Sequence, residues 1–177
     1  MKRVKAISAG LLACAAAALA VEGTAAGVKW TVPASWKLEA GRPMRVATYA
    51  IPSSAGAEAG ECGVFFFGSG QGGGVDENLN RWISQFEGGA PPRKSEKSVG
   101  GWKVHLVDVS GTYLAPGGPM MQSQGKKPGY RLLGAIVEAP NGMVFFKCTG
   151  PAATISKAQA DFDRMIGSLA KSGATAL

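Results

Sequence analysis

The sequence predicts an α+β fold in which an antiparallel sheet is flanked by helices on both faces, and three observations predict it. Residues 130–138 and 143–146 are two apolar runs joined by Asn141-Gly142, a dipeptide typical of tight hairpin turns. Two stretches, one in the middle of the chain and one near its end, carry apolar residues at helical spacing. The order of elements lacks the strict strand–helix alternation of a parallel sheet, which favours an antiparallel one.

Four more strands are predicted from short apolar or alternating runs closed by Pro or Gly. They cover residues 27–32, 43–51, 62–67 and 102–113. The 26 glycines and 10 prolines of the 177-residue chain fit the many turns that short strands need. Residues 115–129, rich in Gly and Pro and without periodicity, are predicted to form a loop.

The two predicted helices are amphipathic. The first covers residues 75–86, and the second begins near Ser156, where Ser156 and Gln159 have the spacing of a capping box. Both stripes should pack on the sheet, which predicts that six large side chains are mostly buried: Leu79, Trp82, Phe86, Phe162, Ile166 and Leu169.

The first 20 residues are typical of a signal peptide, with a basic start, an apolar run and the small residues Ala18 and Ala20 at its end. An alternative is a lipoprotein signal over residues 1–13, after which Cys14 would carry a lipid anchor. Either reading predicts export to the periplasm or beyond, as a free or a membrane-anchored protein. Residues 27–172 would then form a single domain, as their length allows.

Charge gives little indication of a polyanionic partner. Cleavage after Ala20 lowers the formal net charge from +7 to +4, and the remaining basic residues are scattered apart from the pairs at 93–94 and 126–127. Both pairs are interpreted as solvated loop residues. We therefore expect no nucleic-acid partner, and membrane contact only through a lipid anchor.

Several short motifs carry a resemblance to known proteins. They are W-x-x-P-x-x-W at 30–36, PMR at 43–45, NRW at 80–82 followed by QF at 85–86, GTY at 111–113, and FFK-x-TGP at 145–151. Together they resemble a group of uncharacterised secreted or lipid-anchored bacterial proteins. The order of elements, from about residue 28 to 171, is similar to the α/β/α sandwich of the photosystem II extrinsic PsbP proteins and of the envelope lipoprotein DcrB. The resemblance implies a partner-binding or assembly role and carries no catalytic residues.

Cys62 and Cys148 are candidates for a disulfide. An even number of cysteines after removal of the leader suggests pairing in an oxidising compartment. Antiparallel pairing of residues 62–67 with 143–148 would place the two sulfurs opposite each other and apolar residues opposite apolar ones. The alternative is two unrelated buried thiols that act as small hydrophobic residues.

Residues 68–73, GSGQGG, match the G-x-G-x-x-G pattern of dinucleotide-binding sites. A dinucleotide site also needs a second strand that ends in an acidic residue about 20 positions later, and prolines and basic residues stand there instead. We interpret the segment as a flexible connection, with no cofactor, whose Gly70, Gly72 and Gly73 amides are candidates for binding an anion.

Catalytic chemistry has weak support in this sequence. His105, the only histidine, lies in a predicted strand three positions before Asp108, so the two side chains should point to opposite faces. Two cysteines and one histidine do not make a four-ligand zinc site. A hydrolase would need a serine from elsewhere in the chain. We therefore predict no metal and no enzyme activity.

Three polar residues of the first predicted helix, Asn80, Arg81 and Gln85, are candidates for partner binding, with a solvated helix face as the alternative. The sequence thus predicts a non-enzymatic binding or assembly protein of the bacterial cell envelope, whose partner is an unknown envelope protein. A periplasmic carrier of a small ligand is the alternative, and a hydrolase-type enzyme comes third. A deep pocket with convergent polar groups would favour the carrier, and an exposed apolar face the partner binder.

Overall fold

A computed structural model describes residues 20–54, 56–115 and 125–173. These residues form eleven strands and two helices. The strands are β1 (Glu22–Ala25), β2 (Val28–Thr31), β3 (Lys37–Leu38), β4 (Ala47–Ile51), β5 (Gly60–Phe66), β6 (Phe86–Glu87), β7 (Arg93–Val99), β8 (Trp102–Leu114), β9 (Lys126–Ala139), β10 (Gly142–Pro151) and β11 (Ala170–Lys171). The helices are α1 (Val75–Ile83) and α2 (Ala152–Gly167). Residues 1–19 of the predicted signal peptide, which include Cys14, lie outside the described residues.

Two antiparallel sheets are present. The large one has the strand order β3-β4-β5-β10-β9-β8-β6, and β7 also pairs with β8. The small one has the order β1-β2-β11, so an early strand pairs with the last one. No helix among the described residues is long and apolar enough to cross a membrane.

The hairpin of β9 and β10 is confirmed at the centre of the large sheet. Its turn differs from the expected one, because Ala139 pairs with Gly142 and leaves Pro140 and Asn141 as the two loop residues. Gly142 has a φ of 120°, whereas Asn141 is not among the residues with positive φ. Glycine is therefore needed at Gly142, directly after the two loop residues, and Pro140 supplies the fixed φ at the first loop position.

The predicted pairing of β5 with β10 is also confirmed. Cys62 lies opposite Cys148, Val64 opposite Phe146, and Phe66 opposite Val144. A disulfide joins the two cysteines, whose Cα atoms are 3.9 Å apart. Both cysteines are buried, so the bond is part of the core between the sheet and the layer that covers it.

The predicted fold class is wrong. Strands make up 49% of the described residues and helices 17%, so the protein is mostly β rather than a sheet flanked by helices on both faces. The layer that contains α2 also contains the small sheet, whose Trp30 packs edge-on against Phe146 at 5.1 Å between ring centroids. Helix α1 is only nine residues long and packs through Leu79 and Trp82, leaving part of the sheet open.

The core is otherwise close to expectation. Of the six side chains expected to be buried, five are less than 6% exposed, and Phe86 is half-buried in β6. The first helix therefore ends at Ile83, three residues before the predicted end. The second begins at Ala152 with Pro151 as its N-cap, so the capping box at Ser156 is wrong, and the hydroxyl of Ser156 accepts a hydrogen bond from Arg131 at 3.0 Å.

Two segments expected to be loops are strands. Residues 126–129 belong to β9, and residues 93–99 form β7 at the border of the large sheet. Strand β7 reads RKSEKSV and is exposed along most of its length. An edge strand of this kind is held by backbone hydrogen bonds and cross-strand ion pairs, so it has no apolar pattern to reveal it.

Candidate functional site

Lys147 occupies an unusual position at the centre of the large sheet. It lies in β10, on the face that α1 partly covers, and its neighbours in register on the two adjacent strands are Gly63 and Gly134. A Cβ atom at Gly134 would lie 2.6 Å from the ring of Trp82, and one at Gly63 would lie 2.8 Å from the ring of Phe65. The two glycines therefore make room for the aromatic rings that surround the lysine.

These side chains form a pocket of about 180 Å³, which we call the α1 pocket. Helix α1 supplies one wall, and strands β5 and β10 supply the floor. Its lining consists of aromatic rings and polar ends in equal number: Phe65, Phe67, Trp82, Phe145, Asn78, Arg81, Gln85 and Lys147. Aromatic walls with a few convergent polar groups are typical of small-molecule sites.

The cations of the α1 pocket are held by neutral groups. Lys147 Nζ donates a hydrogen bond to Gln85 Oε1 at 2.6 Å, and Arg81 donates one to the Asn78 side-chain oxygen. Burial, followed by the nearby charges of Arg81 and Arg45, lowers the pKa of Lys147 to about 8. The Lys147 ammonium also lies 5.6 Å from the centroid of the Tyr113 ring, so an amide oxygen and an aromatic face offset its charge, and no ion pair with a carboxylate is present among the described residues.

An open cleft of about 690 Å³ continues from Lys147 along the same face of the sheet. Arg45 lies over the Phe65 ring and pairs with Glu61, which Arg42 also binds at 2.6 Å. Further along the cleft, the rings of Tyr113 and Tyr130 stack at 6.0 Å. Burial and a hydrogen bond to Glu58 raise the pKa of Tyr130 to about 12, so its hydroxyl stays neutral as a donor.

The three predicted partner-binding residues do not form one patch. Arg81 and Gln85 line the α1 pocket, whereas Asn80 accepts a hydrogen bond from Lys94 of β7 at 2.8 Å. Sequence reasoning missed Lys147, the central group of the pocket. The signal available was a single lysine inside the apolar run MVFFKC of a strand expected to be buried.

The glycine-rich segment turns the chain from β5 into α1. Gly70, Gly72 and Gly73 have φ values of 69°, 92° and 78°, which favour glycine. Two of them border a shallow cleft of about 320 Å³, with Glu138 on its other side. Glu77 accepts a hydrogen bond from the Gly74 amide at 3.3 Å, so a carboxylate already stands at the start of α1. Anion binding by this loop stays a prediction, and these two carboxylates oppose it.

A second surface, which we call the apolar groove, has a volume of about 610 Å³. It lies between the chain before β1, the connection from β2 to β3, and the end of α2. Val21 and Leu38 line it while 57% and 64% exposed. Trp36 also lines it, and the buried Nε1 of this ring has no hydrogen-bond partner among the described residues.

His105 and Asp108 are on different faces, as the strand alternation predicts. The buried His105 ring contacts Glu96 and Glu138, one carboxylate on each of its nitrogens. Asp108 accepts two hydrogen bonds from Arg131, at 2.9 and 2.8 Å, which hold the pKa of its carboxyl below the usual value. No group of His, Cys, Asp and Glu side chains that could hold a metal is found in the described part of the chain.

Comparison with solved structures shows that the fold is similar to that of PsbP-like proteins. The solution structure of CyanoP, the cyanobacterial PsbP of Synechocystis sp. PCC 6803, matches with a TM-score of 0.50 and 10% identity, over 92% of this chain and 98% of that one. The crystal structure of PA94 from Pseudomonas aeruginosa, a protein of unknown function described as a putative regulator, matches with a TM-score of 0.50 and 11% identity, over 87% and 98%. At these identities the similarity concerns the fold alone. No protein-family model matches the sequence, and no curated protein matches it.

Proposed function

We propose that the protein is an exported, non-enzymatic module of the bacterial cell envelope that binds a partner protein in the apolar groove. The single observation that carries the proposal is that two of the four large apolar side chains exposed among the described residues border this groove. Scattered surface hydrophobic residues are ordinary, but Val21 and Leu38 border one groove of about 610 Å³. The partner would contribute an extended apolar segment.

The strand beside the groove supports this mode of binding. Strand β3 is the last strand at its end of the large sheet, and among residues 20–54, 56–115 and 125–173 no strand pairs with its outer side. An exposed sheet edge can accept a further strand, with backbone hydrogen bonds for affinity and pockets for alternate side chains. Leu38 of β3 projects into the groove, so edge and groove form one surface.

The non-enzymatic part of the proposal is supported by the state of the acid–base candidates. His105 is enclosed by two carboxylates, and Asp108 is committed to Arg131. Export is supported by the leader-like residues 1–20 and by the Cys62–Cys148 disulfide, since such bonds persist in oxidising compartments.

Site-specific cross-linking tests the groove. A photoreactive amino acid at Leu38 should capture one protein in the producing bacterium, while the same group at Met44, which is 75% exposed outside the groove, should not. With the captured protein purified, Leu38→Asp should abolish the complex and Met44→Asp should leave it intact. Equal capture at both positions, or a complex insensitive to Leu38→Asp, would contradict the proposal.

Cell fractionation tests export separately. The mature chain should be recovered outside the cytoplasm, beginning at Val21 if the signal peptide is removed or at a lipid-modified Cys14 in the lipoprotein alternative. Recovery of the full chain from the cytoplasm would refute export without bearing on the groove. The alternative role, carriage of a small ligand, is favoured by the α1 pocket.

A further inference from the structure

We propose that the α1 pocket binds a small organic anion, namely one carboxylate group joined to a flat apolar body. This inference rests on the carrier role, and it does not depend on partner binding in the apolar groove. The two sites have separate linings, with Trp82 and Phe145 in one and Trp36 and Met165 in the other. Either proposal can therefore fail while the other stands.

The charge of the pocket calls for an anion. Neither Lys147 nor Arg81 forms an ion pair with a carboxylate in the described part of the chain, although both line a partly enclosed space. Their hydrogen-bond acceptors, Gln85 and Asn78, are neutral amides. Burial of the Lys147 ammonium without a counter-ion is unfavourable, so an incoming carboxylate would relieve this cost, and the exposed Arg81 would contact the same carboxylate from the solvent side.

The nearest acidic side chain does not fill this role. Glu61 borders the open cleft and is bound by two guanidinium groups, Arg42 at 2.6 Å and Arg45. Arg42 also pairs with Glu39 at 2.5 Å, so the four cations Lys147, Arg81, Arg42 and Arg45 are accompanied by two carboxylates, both of which are bound by Arg42 or Arg45. The surplus positive charge lies on the α1 side, where a ligand would meet Lys147 and Arg81 together.

The walls specify the rest of the ligand. Phe65, Phe67, Trp82 and Phe145 surround the charged ends, with Trp82 and Phe145 edge-on at 6.4 Å. A cavity of about 150 Å³ lined by apolar side chains is large enough for benzene. A pocket of about 180 Å³ thus holds one ring with its carboxylate. Inorganic anions would satisfy the charges and leave the aromatic walls unused.

Two glycines beside Lys147 provide the space that the aromatic rings of the pocket occupy. With any side chain other than hydrogen at Gly63 or Gly134, the rings of Phe65 or Trp82 would have to move. These two glycines flank the lysine on either side in the register of three adjacent strands. The lysine is therefore surrounded by rings, and its ammonium group stays within reach of the pocket.

The test uses benzoate as the probe and the mature protein with its disulfide intact. NMR titration should show a saturable shift of the indole N–H signal of Trp82. Lys147→Met and Arg81→Gln should each weaken binding about 10- to 100-fold, as expected for the loss of one charged hydrogen bond. Lys157→Met, which removes an exposed lysine from α2, should leave binding unchanged.

Two further probes separate the sources of such a carboxylate. A short peptide ending in phenylalanine is compared with its C-terminal amide. Binding of the acid but not the amide identifies the end of a polypeptide, and binding of benzoate alone identifies a free acid. Both results support the proposal.

The contrary outcomes are equally definite. No saturation up to about 10 mM benzoate, which corresponds to less than about 3 kcal/mol of binding free energy, would overturn the proposal. Equal binding of inorganic phosphate would overturn the apolar part of it. If Lys147→Met failed to fold, Arg81→Gln, a change of an exposed side chain, would still decide the question.

Discussion

Loss of the disulfide between Cys62 and Cys148 should remove a large part of the stability of this domain. The bond closes a loop with a sequence separation of 86 residues. On the chain-entropy relation, such a loop costs the unfolded chain about 4–5 kcal/mol of conformational freedom at 25 °C. Small domains are stable by only about 5–15 kcal/mol, so the reduced protein should be close to its limit.

The assay is urea unfolding of residues 21–177, oxidised and reduced, beside the variant carrying both Cys62→Ala and Cys148→Ala. The oxidised protein should exceed the other two by about 4–5 kcal/mol, while reductant should not affect the variant. Thiol titration of the unfolded, non-reduced protein should find no free thiol. Two free thiols, or a difference below about 1 kcal/mol, would refute the argument from loop closure.

Three other predictions concern packing and charge. Phe162→Ala should cost about 3–5 kcal/mol in urea unfolding, because the ring is 3% exposed, and Lys157→Ala on the same helix should change stability by less than about 0.5 kcal/mol. Gly134→Ala should cost about 1–3 kcal/mol by collision with Trp82, whereas Gly167→Ala, with open space around it, should add about 0.4–1 kcal/mol; equal effects would contradict the packing described. Lys147 loses its proton more readily in the folded than in the unfolded protein, so stability should rise between about pH 8 and pH 10; above pH 10 the raised pKa values of Tyr49, Tyr113 and Tyr130 act in the opposite direction. Burial is the main cause of this lowered pKa, the charges of Arg81 and Arg45 add to it, and Glu61 opposes it. Lys147→Met should abolish that rise and raise stability at pH 7 by up to about 3 kcal/mol, and an unchanged pH profile would show the ammonium to be well solvated.

The central part of the fold could be predicted because its residues are apolar where both faces of the sheet are buried. Strands β5, β9 and β10 are covered on both faces over much of their length, so their apolar runs are long and nearly continuous. Pairing apolar residues across strands then brought Cys62 opposite Cys148, as observed. The apolar stripes of α1 and α2 could be predicted for the same reason, because each helix covers part of this apolar sheet.

The periphery could not be predicted in this way. Strand β7 buries no face, and its fit depends on Glu96 meeting His105 and Lys103 across the strands. The start of α2 is set by Pro151, which pairs with Tyr130 at the end of β10 and also serves as the N-cap. Neither property is visible as apolar periodicity.

Only part of the α1 pocket could be predicted from the sequence. Arg81 and Gln85 stand four residues apart, so they could be placed on one side of a helix. That Lys147 meets them depends on the register of three strands and on two glycines beside it, which no local pattern encodes. Asn80 was placed with them by adjacency in sequence, although the helix turns it toward β7.

The small sheet constrains the order in which the domain can assemble. Strand β2 pairs with β1, which directly precedes it in the sequence, and with β11, which consists of Ala170 and Lys171 near the end of the described chain. Until those residues are available, one side of β2 has no strand beside it, and the face that buries Trp30 is incomplete. A chain synthesised from its N-terminus would therefore hold this ring unprotected until the last residues of the domain are made. Closure by a distant segment makes completion of the domain a late event in its folding.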